Sequence, residues 1–372
     1  MRYPNLRRPV RVARHSVSGG AMTLPPEISR IVGLRVHAGL WNLVTQRGIL
    51  QLRAIPHRTE REEKRLINLL SYSSRVLAAA RRGERTPLRW LMQPTGRWST
   101  AKPNLHSISK SFGLRDAVIP GDGLVFVRGD WCSAHLIVAA GMSRDPVLQS
   151  DIESGDAYTL AMGLLAPELG DAARAVSKIL ILSALNGAGP AKLAETMAEF
   201  GLAVDEVEAG RRKAEWLSRY PTLRAYMRAC LRVRSWTTPL GRTITLPTGL
   251  PPHKGLGWRW QSREADALTV GLQRLMRDRP SWTVAFIFYD EILLEVPCRE
   301  AEQARDELEA LMNRMIRGAA GLRPGEPCRT TKTSLRTTWS GVEPSEWPED
   351  DAVLRPRIQL VPQPRPRIGG SQ

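Results

Sequence analysis

The feature that most constrains the fold is a pair of acidic positions carried by apolar strands far apart in the chain. An apolar run over residues 124–127 predicts a short buried strand, and Asp130 follows at its end. Asp290 and Glu291 lie in a predicted turn between two further apolar runs. A buried carboxylate is costly unless a cation meets it. Carboxylates converging from two rigid strands are what two divalent ions, roughly 3.5–4 Å apart, require for phosphoryl transfer.

The charge of the chain indicates a polyanionic partner. The 372 residues carry a formal net charge of +17, and the isoelectric point is about 10.5. Such an excess favours binding to nucleic acid or to an acidic membrane surface. No apolar stretch is long enough to span a bilayer, so we expect no membrane segment. The cysteines are scattered, without zinc-site or disulfide spacing, and we expect reduced thiols: Cys132, Cys230, Cys298 and Cys328.

Helical periodicity dominates two regions of the chain. Apolar residues recur at helical spacing over 59–82, which predicts an amphipathic helix, and 135–226 is mainly helical. Within the second region, Arg174 and Lys178 stand four residues apart, about 6 Å along a helix axis. Two like charges on one face repel unless an anion lies between them. A solvated basic face is the alternative interpretation of this pair.

Turn-rich segments separate the remaining elements. Residues 95–108 contain too many turn formers for a regular element, and 238–242 predicts a turn into a short strand. We expect another helix led by Gln261 and an amphipathic helix over 299–317. Beyond residue 340 the composition is too poor in apolar residues to pack, which predicts a disordered tail.

Taken in order, these segments resemble the family A DNA polymerases, the group of bacterial DNA polymerase I, from about residue 95 to residue 297. The motifs that carry the resemblance are Thr95-Gly96-Arg97 with Pro103-Asn104-Leu105, Asp130, Arg174-x-x-x-Lys178, Gly241-Arg242 with Leu246-Pro247, Gln261 with Asp266, and Tyr289-Asp290-Glu291. Their specificity comes from occurring together in one order at plausible spacings.

The resemblance implies an α+β fold of the right-hand polymerase type, with an antiparallel-sheet palm, helical fingers and a reduced helical thumb. We expect the following division: a flexible basic arm (1–20), a reduced thumb (21–94), the first part of the palm (95–141), the fingers (142–256), the second part of the palm (257–340) and a disordered tail (341–372). The segment before residue 95 is too short for a proofreading exonuclease domain plus a full thumb, so we expect no proofreading.

The resemblance also assigns roles to individual residues. Asp130 and Asp290 would hold two Mg²⁺ ions, with Mn²⁺ able to substitute, and Glu291 would assist the ion on the primer side. Arg174 and Lys178 would neutralise the triphosphate of the incoming nucleotide, with Lys178 protonating the leaving group. The residues expected to contact DNA are Arg97, Asn104, Arg242, Gln261 and Tyr289.

Several nucleotide-facing positions depart from the family pattern. His135 replaces the glutamate that screens out a ribose 2′-hydroxyl, and Leu182 replaces an aromatic residue that packs on the sugar. Asn186 replaces a tyrosine at the template position, and Tyr158 stands where a phosphate-facing histidine is common. Tyr289 replaces another histidine. These changes predict relaxed fidelity or sugar selectivity but leave the reaction class intact.

The leading hypothesis is a template-directed DNA polymerase that adds dNTPs to the primer 3′ end of a primer–template DNA. A primase-like or ribonucleotide-tolerant polymerase is a second hypothesis. A catalytically dead palm acting as a nucleic-acid-binding subunit is a third, which the presence of both aspartates disfavours. We further expect a processivity or replisome partner bound through the tail, no membrane partner, and a cytoplasmic, nucleoid-associated location in a bacterial or phage-infected cell.

Overall fold

A computed structural model describes residues 25–108, 111–322 and 331–341. The basic arm, Cys328 and the tail from residue 342 onward lie outside these ranges. The α-helices are α1 Pro26–Ser29, α2 Ala38–Arg53, α3 Glu60–Arg81, α4 Ala134–Ser143, α5 Pro146–Glu153, α6 Ala157–Leu160, α7 Met162–Leu165, α8 Ala173–Leu185, α9 Pro190–Ala198, α10 Glu206–Ser218, α11 Pro221–Cys230, α12 Lys254–Asp278 and α13 Ala301–Ala320. The strands are β1 Arg35–Val36, β2 Trp90–Met92, β3 Trp98–Thr100, β4 Val118–Ile119, β5 Leu124–Trp131, β6 Ser235–Thr237, β7 Thr243–Thr245, β8 Thr283–Phe288, β9 Glu291–Pro297 and β10 Thr331–Arg336.

An antiparallel sheet of four strands, in the order β10–β5–β9–β8, forms the centre of the molecule. In its register Asp130 of β5 stands opposite Glu291 of β9 on one side and opposite Lys332 of β10 on the other. Long helices pack around this sheet, and β1–β4, β2–β3 and β6–β7 are small separate antiparallel pairs. The α+β prediction is therefore confirmed.

Helix α13 covers one face of β5 and thereby fixes which side chains face the opposite side. A Cβ atom added at Gly129 would lie 2.5 Å from Met312 Sδ, and Trp131 Nε1 donates to the Met312 carbonyl at 3.0 Å. Side chains alternate between the faces of a strand. Arg128 and Asp130 therefore share the face turned away from α13.

The helical parts of the chain follow the sequence periodicity closely. Helix α3 begins after Thr59, whose side chain and Glu62 form a reciprocal capping box, a motif typically worth about 1 kcal/mol. Helices α4 to α11 fill the stretch expected to be helical between β5 and β6. Trp41 of α2 is fully buried and donates to the Ser73 carbonyl of α3, so these two helices form one unit. Within the described residues no helix is long and apolar enough to cross a membrane.

Four sequence-based expectations on local structure were wrong. Glu291, expected in a turn, is the first residue of β9, because the turn contains only Tyr289 and Asp290. Strand β5 runs through Asp130 rather than ending before it, because strands on both sides pair with it there. Gln261 lies inside α12, which begins at Lys254. Residues 95–108, expected to be irregular, contain β3 because Trp98 pairs with Met92 of β2.

Candidate active site

A tight hairpin brings the two predicted metal-binding aspartates together. Strands β8 and β9 are joined by Tyr289 and Asp290, and Tyr289 adopts a left-handed backbone with φ of 60°. A non-glycine residue rarely adopts this conformation, and strain of this kind is concentrated at functional sites. The Asp290 carbonyl accepts a hydrogen bond from the backbone N–H of Trp131, at 3.2 Å. Asp290 therefore lies beside Asp130, the residue that precedes Trp131.

The electrostatics of Asp290 show that it shares its surroundings with other carboxylates. Burial, the charge of Asp130 and the charge of Glu264 raise the pKa of Asp290 to about 7, whereas Arg97 lowers it. Two carboxylates that share a site resist simultaneous ionisation unless a cation lies between them. This mutual repulsion is what a bound divalent cation would relieve.

Glu291 is buried and both of its carboxylate oxygens are engaged. Its Oε1 atom accepts from Trp339 Nε1, and its Oε2 atom accepts from Arg128 Nη2 at 2.7 Å. Arg115 Nη1 lies 3.8 Å from the same Oε2 atom, with its guanidinium 4.1 Å from the Trp339 ring centroid. Arg128 Nη2 also donates to Asp130 Oδ2 at 2.9 Å. Glu291 therefore holds the arginine that contacts Asp130.

A second buried carboxylate, Glu264 on α12, connects two predicted site residues. Its side chain is 2% exposed, its Oε2 atom accepts from Arg97 Nη2, and His135 Nδ1 lies 2.9 Å from its Oε1 atom. Burial alone would raise the pKa of Glu264, but the charges of His135 and Arg97 outweigh it and hold the pKa at about 2. Glu264 is therefore an ionised anchor for both side chains.

The predicted DNA-contacting residues lie around this cluster. The Arg97 guanidinium is 5.6 Å from the centroid of the Tyr289 ring, and Tyr289 is 38% exposed at the tip of its hairpin. Arg242 donates through Nε to Asp266 Oδ1 at 2.8 Å and through Nη1 to the Thr95 carbonyl at 3.3 Å. Arg242 thus joins the β6–β7 hairpin and α12 to the turn that carries Arg97. Its contact with DNA stays a prediction.

Helix α8 presents the predicted triphosphate-binding residues to solvent. Arg174 and Lys178 are both exposed, and Arg174 Nε donates to Asp156 Oδ2. Lys178 Nζ lies 5.8 Å from the centroid of the buried Tyr158 ring. Burial raises the pKa of Tyr158 to about 12, so its phenol is neutral at physiological pH. The two cations therefore share one exposed face, as predicted.

The remaining predicted residues lie at the end of α8, on α12 and in the β3 loop. Leu182 is partly buried, and its carbonyl accepts from Asn186 Nδ2 at 2.8 Å. Asn186 ends α8 and contacts Gly257 of α12 so closely that a Cβ atom there would clash with it. Gln261 is partly buried one turn further along α12, and Asn104 is exposed. Their nucleotide and DNA contacts stay predictions.

Sequence reasoning missed Arg128, Arg115, Glu264 and Trp339. For Arg128 a signal was available, since a charged residue inside an apolar strand requires a partner of opposite charge. Glu264 is one of many charged helix residues, and nothing local marks it as buried. Trp339 reaches Glu291 only because β10 pairs with β5. Arg115, Glu264 and Trp339 are therefore defined by tertiary contacts alone.

The donor set at the hairpin fits magnesium. Among residues 25–108, 111–322 and 331–341, no group of three or more histidine, cysteine or acidic side chains could hold a metal ion. Mg²⁺ does not require such a cage, because it keeps several waters and binds through one or two carboxylates plus substrate phosphates. Asp130 and Asp290 supply two carboxylates, and the charge of Asp130 contributes, after burial, to the raised pKa of Asp290.

Comparison with known proteins gives a consistent result. The model of the family "DNA polymerase family A" matches residues 52–254. No curated protein matches the chain. The POL domain of Pol1 from M. smegmatis, solved in complex with DNA primer-template and dNTP, is similar with a TM-score of 0.65 and 17% sequence identity. The match covers 83% of this chain and 68% of that chain, and at this identity it is a likeness of fold. The family match ends before β8, so the placement of Asp290 depends on the hairpin geometry.

Proposed function

The chain belongs to DNA polymerase family A and is a DNA-directed DNA polymerase. We propose that it extends a primer 3′ end with dNTPs by two-metal phosphoryl transfer at Asp130 and Asp290. The observation that carries the proposal is the convergence of these two aspartates. The Asp290 carbonyl accepts from the residue after Asp130, and the charge of Asp130 raises the pKa of Asp290. Two adjacent carboxylates that repel each other are what a bound divalent cation would stabilise.

Two Mg²⁺ ions, or Mn²⁺ in their place, would be held by Asp130 and Asp290, and when bound such ions activate the primer hydroxyl and neutralise the departing pyrophosphate. The protein itself contributes rigid positioning, because Asp130 lies on β5 and Asp290 lies in the two-residue turn before β9, the strand that pairs with β5. Glu291 was expected to assist the primer-side ion directly. Its engagement by Trp339 and Arg128 instead supports a role in orienting Asp130 through Arg128.

The fingers would bind the triphosphate through Arg174 and Lys178. Positioning and charge neutralisation supply most of the catalysis in phosphoryl transfer. Arg174 would exchange its contact with Asp156 for a phosphate oxygen, which is feasible because the pair is exposed. Lys178, an ammonium held above the Tyr158 ring, would donate a proton to the leaving pyrophosphate.

We assign the palm to residues 95–141 and 257–340, the fingers to 142–256 and a reduced thumb to 21–94. In the described residues before β2, the long helices are α2 and α3, which supports a thumb of this size. The proposal includes no proofreading step. A partner bound through the tail and a cytoplasmic location stay predictions, since the tail lies outside the described residues.

Relaxed sugar selection is part of the proposal. Leu182 offers the sugar less surface than an aromatic ring, and His135 has Nδ1 directed at Glu264. A ring nitrogen of histidine can hydrogen-bond a ribose hydroxyl, which a glutamate at this position would repel or block. A ribonucleotide-tolerant or primase-like enzyme is the second candidate function, and these two residues favour it.

A primer-extension assay tests the proposal. The protein is given a primed DNA template with Mg²⁺, and dNTPs and NTPs are supplied in separate reactions. Extension with dNTPs that is lost in Asp290→Asn supports the DNA polymerase assignment, and extension with NTPs at a comparable rate favours the ribonucleotide-tolerant alternative. Binding of the primed template without extension by either substrate would support the dead-palm hypothesis and contradict the proposal.

A further inference from the structure

Arg128 is an unusual residue for the centre of a buried strand. It lies in β5 between the buried Val127 and Gly129, and its side chain is 15% exposed. A guanidinium withdrawn from water is tolerated only when it is paired with an opposite charge. Because Arg128 and Asp130 are two residues apart in one strand, their side chains lie on the same face. The partner of Arg128 is thus the predicted metal-binding aspartate.

A single nitrogen of Arg128 serves two carboxylates. Nη2 donates to Asp130 Oδ2 at 2.9 Å and to Glu291 Oε2 at 2.7 Å. Glu291 is fixed in turn, since Trp339 Nε1 donates to its other oxygen. Arg128 cannot swing away without leaving the buried Glu291 with only Trp339 and a more distant Arg115. The contacts of Glu291 therefore hold the guanidinium beside Asp130.

The charges around the hairpin are nearly balanced before any ligand arrives. Four carboxylates are present in the cluster, and three guanidiniums are paired with or lie near them. The carboxylates are Asp130, Asp290, Glu264 and Glu291, and the three guanidiniums are Arg97, Arg115 and Arg128. A fourth guanidinium, that of Arg336, also interacts electrostatically with Glu291. The pull of this cluster on a lone divalent cation is accordingly weak, because Coulomb attraction follows the sum of the nearby charges.

We propose that Arg128 is a resident counter-ion of Asp130 that weakens divalent-cation binding by the free enzyme, so that the cation is held firmly only together with a nucleoside triphosphate. This inference rests on the proposed function, since it takes Asp130 and Asp290 as the metal-binding pair. The triphosphate adds negative charge and phosphate oxygens that Mg²⁺ accepts readily as ligands. Arg128 is a positioning residue in this scheme, acting on the cation through Asp130.

The test measures Mn²⁺ binding to the free protein from the electron paramagnetic resonance signal of unbound Mn²⁺, without any turnover. In Arg128→Gln the dissociation constant for Mn²⁺ should fall about tenfold, because one positive charge within a few ångströms is removed. The double variant Arg128→Gln with Glu291→Gln leaves no buried carboxylate unpaired, and it should bind Mn²⁺ about tenfold more tightly than Glu291→Gln alone, because these two proteins differ only by the Arg128 charge. Arg128→Lys, which keeps the charge, should stay within about twofold of the unmodified protein.

Lys332→Gln is the matched control. Lys332 also stands opposite Asp130 in the sheet and carries the same charge, but its side chain is exposed and screened by solvent. Its removal should change the Mn²⁺ dissociation constant by less than about twofold. A non-hydrolysable dNTP analogue should tighten Mn²⁺ binding strongly in the unmodified protein and reduce its difference from Arg128→Gln.

The outcomes separate this inference from the function on which it rests. If Asp130→Asn and Asp290→Asn both leave Mn²⁺ binding unchanged, the metal assignment is wrong and the inference falls with it. If these variants abolish binding, but Arg128→Gln does not bind Mn²⁺ more tightly than the unmodified protein and the double variant does not bind it more tightly than Glu291→Gln, the inference alone is wrong. Thermal unfolding of each variant establishes that the compared proteins are folded.

Discussion

Charged side chains are buried and fixed by partners near the central sheet, whereas those on helix α8 are exposed to solvent. Near the sheet, Glu264 and Glu291 are buried, and each is fixed by two partners. On α8, Arg174 has a side chain that is 53% exposed and forms an ion pair with Asp156. Buried charges keep the geometry set at folding, whereas exposed ones are screened and exchange partners readily. The difference suits a rigid site for chemistry beside a surface that receives and releases a charged substrate.

The largest expected effect comes from removing either aspartate of the hairpin site. Asp130→Asn and Asp290→Asn should each lower the rate of primer extension by roughly 10³-fold or more, since metal ligation supplies several kcal/mol of transition-state stabilisation. Single-turnover extension of a primed template measures this effect. Affinity for the duplex should be preserved, because it depends on the many basic residues.

Duplex affinity is the control for that experiment, measured by fluorescence anisotropy at fixed salt. Loss of DNA binding in step with activity would show that the two aspartates act on the fold or the duplex instead. If either variant extended the primer at a near-normal rate, the substituted aspartate would not be part of the catalytic site.

The second largest effect is expected at Glu264, among the buried charges near the central sheet. Glu264→Ala leaves Arg97 and His135 without their shared buried partner, and breaking a buried ion pair typically costs about 3–5 kcal/mol. We expect the free energy of unfolding to fall by this amount in urea denaturation at neutral pH. Primer extension should fall as well, because Arg97 and His135 would lose their fixed positions.

Acid titration provides the matching control. The pKa of Glu264 is about 2 in the folded protein, below its ordinary value of 4.5. Its contribution to stability is therefore complete above pH 4.5 and is lost as the pH falls toward 2. Glu264→Gln should lack that part of the acid dependence. An unchanged dependence in Glu264→Gln would contradict the anchoring role.

A smaller effect on activity is expected at Lys178, on the exposed face of α8. Lys178→Ala should lower kcat/KM for dNTPs by about 10²-fold, the usual effect of removing one group that stabilises developing charge. Duplex affinity should hardly change. Lys192→Ala is the control, since Lys192 is an exposed lysine of the neighbouring helix α9 with an ordinary ion pair to Glu195. If kcat/KM for dNTPs and duplex affinity fell equally, Lys178 would contact DNA rather than the nucleotide.

The smallest effect should come from substituting Asp156, the ion-pair partner of Arg174. Asp156→Asn weakens the ion pair but retains the oxygen that caps α6 by accepting from the Tyr158 N–H. The free energy of unfolding should change by less than about 1 kcal/mol, as for other exposed pairs. A loss of unfolding free energy as large as that of Glu264→Ala would contradict the contrast between buried charges near the sheet and exposed charges on α8.

Much of the framework could be predicted from local sequence patterns. The helix at 60–81 follows from its apolar spacing, and the α+β class followed from the resemblance that the ordered motifs carry. The pairing of Asp130 with the hairpin at Asp290 could be anticipated because each residue lies beside an apolar run. The exact ends of β5, β9 and α12 could not, because strand pairing and helix packing extended these elements beyond their local signals.

The sequence by itself determined the family, the elements and the residues that carry the proposed chemistry, since periodicity and ordered motifs are local properties of the chain. Only the tertiary structure decided how the charges are compensated. Arg97 meets Glu264 across 167 residues and Arg128 meets Glu291 across 163. The energy of a buried charge depends on what surrounds it in space, and its partners here come from elements that meet only when β5, β9 and α12 pack together.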